Sequence, residues 1–366
     1  MRVRRLRTLV CVLAMLFALA PIRAGCASDA VTQDEASELL DAQSRSEYAL
    51  LIGVDHFVSR ADTYPSSTNN VNAMQEVFQG ALNPFRAIIV PPNPVTTVEQ
   101  LTALVQKTFG AAGKNDVCYL YLSTHGVYDP ASGQEPLLLL SDGQTENGIT
   151  PAQLEAAFDG ILGTKVIILD ACNSGAFIGK GLPSLPQEVH FLGDDFKVLT
   201  SSGALEESWY WSVDDQNESG MAGQGSFYFT QALAQSLSAA YGYPADQNRD
   251  GCVVLSELYE YLVLNHAAST PQVYPQSDDF VVFRYDVSQP LPTGLARAPI
   301  MDVTFSGTTL SRSSRQITIE FIAMRPVRVA YQVVYQRDGK WEFEHAQLIY
   351  DEAERFTAYG DQPGAI

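Results

Sequence analysis

Positive charge is what this chain has least of: 23 Lys and Arg stand against 42 Asp and Glu, a formal net charge of −19 over 366 residues. So acidic a chain repels phosphate backbones and anionic lipid, which argues against nucleic-acid and membrane-surface partners and leaves cationic ligands favoured. Cysteine is scarce too, with five in all and no paired spacing, so no disulfide framework is expected. The one conspicuous apolar run, Leu9 to Leu19, is too short to span a bilayer. With 46% of its residues apolar, the chain can still bury a large α/β core and carry a smaller companion unit.

That apolar run follows Arg2, Arg4, Arg5 and Arg7 and leads into small residues, the layout of an export signal over residues 1–27. Cleavage near Ala27 and a lipoprotein-type end at Cys26 are alternatives, because Arg23 stands where a lipoprotein box wants Leu. An exported product, periplasmic or extracellular and in the second case lipid-anchored through Cys26, is the expectation. Loss of this segment removes five Arg and no acid, taking the formal charge from −19 to −24.

Residues 28–46 read as a polar N-terminal lead. From there to residue 288, strand-like and helix-like stretches alternate, which favours a mainly parallel sheet covered by helices on both faces. Expected strands are Tyr48–Val54, Arg86–Val90, Val117–Ser123, Val166–Leu169, Lys197–Ser201 and Asp279–Tyr285, the last closing the sheet. Residues 55–70 read as a loop and 72–80 as a helix; further helices are expected over 97–109, with Gly110 beyond its end, from Thr150-Pro151 to Ala157, and over 227–239. Pro290, Pro292 and Pro299 mark a linker over 289–300. Beyond it, residues 301–366 alternate in strand fashion around an Asp338-Gly339 turn, a small β-rich segment.

The stretch with most chemical content is Val166-Ile167-Ile168-Leu169-Asp170-Ala171-Cys172-Asn173-Ser174-Gly175. Four consecutive apolar residues fit a strand buried on both faces, and side chains just past such a strand face the ligand crevice. Cys172 therefore stands where a nucleophile belongs, and His125, just past the strand 117–123, can meet it across one crevice as general acid and base. Gly126 lets a carbonyl approach its N–H, and the Cys172 N–H completes a two-donor oxyanion site. Cys118 lies within a strand and reads as a small buried hydrophobe. His56, His190, His266 and His345 have no comparable setting.

A strand ending in His-Gly, then a strand ending in Asp-x-Cys-x-Ser-Gly, resembles the caspase-like cysteine peptidases, in particular the metacaspase and bacterial caspase-domain branch. The resemblance runs from about Tyr48 to Tyr285, and includes Leu199-Thr200-Ser201-Ser202 and Gly225 to Leu233. It departs at Ser123-Thr124, where the family often has Gly or Ser-Gly, and at Asn173, where it often has His. The resemblance implies a three-layer α/β sandwich on a six-stranded sheet and an endopeptidase with Cys172 as nucleophile and His125 as its partner. It also implies that Asp170 lines the first pocket and pairs with Arg or Lys of a peptide or protein substrate; a strand-end cap is the bland alternative for this acid. Ser201, Ser202, Glu207, Trp209 and Tyr210 are candidate pocket walls. A catalytically silent binding module, and a cysteine hydrolase acting on a non-peptide acyl group, are the competing functions.

Independently of that site, residues 246–257 fit D-x-N-x-D-G-x5-E, a calcium-loop pattern with Asp246, Asn248, Asp250 and Glu257 as side-chain oxygen donors and Cys252 through its carbonyl. Gly242 and Pro244 break any helix entering it, so a turn that merely starts a helix is the alternative. Calcium is the only cofactor the sequence suggests, with a structural role.

Overall fold

A computed structural model describes residues 45–182, 189–212, 225–265 and 269–289 and, between 300 and 365, a set of short strands. The export signal, Cys26, most of the N-terminal lead and the linker prolines lie outside the described residues, as do His266 and His345. In chain order residues 45–289 run β1 (Glu47–Gly53), α1 (Ser66–Gln79), β2 (Ala87–Ile89), α2 (Val98–Phe109), β3 (Val117–Ser123), β4 (Gly126–Val127), β5 (Leu137–Ser141), β6 (Glu146–Ile149), α3 (Pro151–Ala156), β7 (Thr164–Asp170), β8 (Phe196–Thr200), β9 (Tyr210–Ser212), β10 (Gly225–Phe227), α4 (Tyr228–Ser236), β11 (Cys252–Val254), α5 (Leu255–Asn265), β12 (Gln272–Tyr274) and β13 (Val281–Arg284).

Six strands form one sheet in the order β12-β8-β7-β3-β1-β2. All pairings are parallel except β12 on β8. Because side chains alternate along a strand, each central strand feeds two cores. Tyr48, Leu50 and Ile52 of β1 join Leu120, Leu122, Ile167 and Leu169 on one face, covered by Leu101, Val105 and Phe109 of α2. Ala49 and Leu51 join Tyr119, Tyr121 and Ile168 on the other, covered by Met74 and Phe78 of α1, Phe229 and Leu233 of α4, and Leu258 and Leu262 of α5. This is the three-layer α/β sandwich with a mainly parallel six-stranded sheet that the sequence led us to expect.

Two expectations needed correction. The sheet is closed not by residues 279–285 but by β12, antiparallel on β8 through Val273 opposite Leu199; β13 pairs instead with β11. Pro271 and Pro275 bracket β12 so tightly that its three residues show no period to read. Helix α1 begins at Ser66, inside the stretch read as loop. Its polar start has no local cap; Asp55, just past β1, accepts from Ser67 N at 2.8 Å and Thr68 N at 2.9 Å, and so caps the helix from eleven residues upstream of its first residue.

Elsewhere the local chemistry acts where it is written. Thr97 accepts from Gln100 N to start α2, and Thr150 with Gln153 forms a capping box ahead of Pro151. Beyond residue 299, Ile300–Phe305 pairs with Ile319–Ala323, and Val334–Arg337 with Lys340–Phe343, with Arg337 opposite Lys340 across the expected hairpin. Among the described residues no helix is long and apolar enough to cross a membrane.

Candidate active site

The parallel register decides which side chains meet. Ser123 of β3 lies opposite Asp170 of β7, and Thr124 N continues the pairing onto Asp170 O at 3.1 Å. His125 and Cys172, each two residues further on, leave adjacent strands at the same end of the sheet. Gly126 sits so tightly on the nucleophile turn that a β-carbon there would fall 1.7 Å from the Cys172 carbonyl oxygen. Glycine is thus demanded by a close approach of two main chains, a reason distinct from substrate access.

His125 is half-buried. Its ring stands 4.4 Å from that of Phe57, and Nε2 lies 2.9 Å from the Ala61 carbonyl oxygen. A carbonyl can only accept, so Nε2 carries the hydrogen and the lone pair is on Nδ1. Burial holds the imidazole below its ordinary pKa, against the opposing Ala61 hydrogen bond. The Cys172 thiol is pushed up to about 11 by burial, although Ser208 N donates to Sγ at 3.3 Å and favours the thiolate. Both groups are therefore neutral at rest near pH 7.

Asp170, at the end of β7, is fully buried. Oδ1 accepts from Ser208 Oγ at 3.0 Å and Oδ2 from Thr230 Oγ1 at 2.6 Å, and Tyr121 Oη lies 2.5 Å from Thr230 Oγ1. Burial raises the carboxyl to about 6 even though these hydroxyls favour its charged form. Ser208 thus touches both Asp170 and the sulfur.

Ser201 and Ser202, expected on a pocket wall, are fully buried behind the nucleophile turn. Ser201 Oγ accepts from Ala171 N at 3.0 Å and donates to Ala171 O, and Ser202 Oγ donates to Ala171 O at 3.0 Å. They brace Cys172 from below. The departure at Asn173 has a physical reason: the residue takes φ 57°, a left-handed conformation that Asn tolerates, and its Nδ2 donates to Ala204 O at 2.9 Å. At the other departure, Thr124 Oγ1 donates to Leu139 O at 2.6 Å, while Ser123 Oγ joins a buried chain with Ser67 and Asn70. Glu207 is exposed, Trp209 and Tyr210 are half-buried, and Tyr210 stacks on Phe227.

Cys118 is fully buried with its thiol raised to about 12, as suits a core residue. His56 pairs with Asp62 and His190 with Glu155, both at 2.8 Å. Sequence reasoning missed Ser208, Thr230 and Tyr121, whose spacing from Cys172 carries no local signal, and Ala61, which contributes only a main-chain oxygen.

In the 246–257 loop, Asp246 is buried and spends its oxygens on Arg249 N, Gly251 N and Tyr285 Oη. Asn248 and Asp250 accept from Asp250 N and Cys252 N, and Glu257 from Val254 N. Arg249 and Gly251 take φ 62° and 86°, followed by β11 and α5. Among the described residues no three metal-ligating side chains of His, Cys, Asp or Glu are gathered on one point. Cys252 is disulfide-bonded, which the lack of paired spacing had not led us to expect.

A doubly covered, mainly parallel sheet presenting a cysteine and a histidine at neighbouring strand ends is the architecture of a caspase-like peptidase. The family profile described as Caspase domain matches residues 46–283, and the chain belongs to that family of cysteine peptidases. Solved structures with which it shares likeness include caspase-1 from Spodoptera frugiperda, at 18% identity over 63% of this chain and 86% of that one, with a TM-score of 0.38. A Geobacter sulfurreducens protein is 14% identical over 68% of this chain and 96% of its own, with a TM-score of 0.43. No curated protein matched the chain.

Proposed function

We propose that the protein is an exported cysteine endopeptidase that hydrolyses peptide bonds after Arg or Lys. The observation that supports this reading best is the shared exit of His125 and Cys172 from paired strands, with Asp170 buried and hydrogen-bonded to Ser208, whose N–H meets the sulfur. His125 Nδ1 takes the thiol proton as Sγ attacks the scissile carbonyl carbon; the neutral resting pair means that this transfer accompanies attack rather than preceding it. The N–H groups of Gly126 and Cys172 hold the developing oxyanion, and the imidazolium returns its proton to the leaving amine. Water then cleaves the thioester, again through His125. A substrate guanidinium or ammonium suits Asp170, because it supplies the opposite charge that hydroxyl donors alone do not give a buried carboxylate. Export rests on the sequence of residues 1–27.

Cys172→Ala is expected to abolish turnover of Arg- and Lys-ended peptide reporters; undiminished turnover would remove the assignment. One observation favours the silent-module reading instead: Ser208 N and O both lie within 3.5 Å of Sγ and cover it. A thiol-reactive peptide probe ending in Arg labels Cys172 in an enzyme and leaves it untouched in a silent module. We also propose calcium as a structural ligand of residues 246–257, supported by the all-oxygen donor set and the turn at Gly251, with Glu257 drawn from Val254 N to complete the site.

A further inference from the structure

The main-chain groups that meet the thiol belong to residue 208, yet Gly203–Glu207 ahead of it is neither helix nor strand. Something must hold that segment in place. Glu206 reaches out of it: Oε2 accepts from Gly203 N at 3.1 Å and from Thr270 N at 2.8 Å, and Oε1 accepts from Thr270 Oγ1 at 3.0 Å. Thr270 lies just before β12, in a stretch already tied to the site by Ser269 Oγ donating to Ser201 O at 2.6 Å. The Glu206 carbonyl, in turn, accepts from Asn173 N at 2.8 Å, the peptide immediately after the nucleophile.

One residue thus joins three separate stretches. Its carboxylate fixes where residues 203–208 lie against the sheet edge, its carbonyl holds the left-handed Asn173, and two residues later the chain delivers Ser208 N to Sγ at 3.3 Å. We infer that Glu206 is a positioning residue for the nucleophile: by clamping Gly203 to Thr270 it sets both the Asn173 turn that orients Cys172 and the strap that crosses the sulfur. It touches neither sulfur nor substrate. The kinetic part of this inference rests on the peptidase reading; the structural part does not.

The test uses the full chain with Glu206→Ala, Glu206→Gln and Thr270→Val. Gln keeps an oxygen for the two N–H donors and can turn its amide to the Thr270 hydroxyl, so it retains most of the clamp, whereas Ala loses all of it. Amide exchange is followed at Asn173 and Ser208 against the core amides of β3 and β7, which report global stability. Glu206→Ala is expected to speed exchange at Asn173 and Ser208 ~10-fold or more while the core amides stay as in the parent, with Gln close to the parent and Thr270→Val between them. On the Arg reporter, Ala should lower kcat ~10-fold or more with KM changed less than ~3-fold, and Gln should restore most of the loss. Parent-like exchange in the Ala variant overturns the inference, as does faster exchange with unchanged kcat. If Ala unfolds the core, Thr270→Val is read by the same criteria. A parent protein that cleaves no reporter defeats the peptidase reading, and the exchange comparison then decides the clamp alone.

Discussion

Asp170 shows how one buried residue links stability to function. Its carboxyl is raised from 3.8 to about 6 by burial, so the folded state binds the proton more tightly than the unfolded chain. The stability this group contributes is therefore fully present below about pH 4 and is lost as pH rises through about 6. Keeping the acid charged at pH 8 costs roughly 3 kcal/mol. Asp170→Asn should raise the melting temperature by roughly 5 °C at pH 8 and give little or no gain at pH 4, while cleavage after Arg and Lys collapses. Equal destabilisation at both pH values, followed by scanning fluorimetry, would make Asp170 a structural cap. The sequence reading placed Cys172, His125 and Gly126 together because parallel strands deliver their ends to one edge. It could not find Ser208, Thr230 or the Ala61 carbonyl, since hydroxyls are common on any surface and a main-chain oxygen leaves no mark on residue identity.

At the scale of elements, long buried strands and capped helices were legible, and short or remotely supported ones were not. β3 and α2 lie where apolar periodicity and Thr97 put them, but the start of α1 depends on Asp55 in a different segment and β12 on the edge that β8 offers. Local pattern cannot report a partner that arrives through space. The 246–257 loop lies between these cases: its turn geometry follows its sequence, while its carboxylates serve its own N–H groups. If calcium draws them inward, α5 and the β11–β13 pair are held by one more tie. Millimolar calcium should then raise the melting temperature, by up to ~2.7 kcal/mol of stabilisation at a hundredfold excess over the dissociation constant, and Asp250→Ala should remove the effect. No shift at millimolar ion would leave the loop as a plain helix-starting turn.

At the scale of the whole molecule, the two hydrophobic cores draw their members, among the residues whose burial is described, from Tyr48–Tyr285. The ends of that span are knitted to each other: Arg45 Nη1 donates to Val281 O at 3.1 Å and pairs with Glu47, and Leu82 N donates to Arg284 O at 2.8 Å. Among the described residues, the strands between Ile300 and Ala365 pair with one another. We propose that a unit with two such cores and with ends tied to each other folds without the β-rich segment. Under reducing conditions, which open the Cys252 disulfide in both, a fragment of residues 45–289 should accordingly unfold in one cooperative step with a midpoint within ~3 °C of the same transition in the full chain. A fragment starting at residue 48 loses the Arg45 and Glu47 ties and should melt lower. Loss of cooperativity in the 45–289 fragment would show that the β-rich segment completes the core, and would move the domain boundary past residue 300.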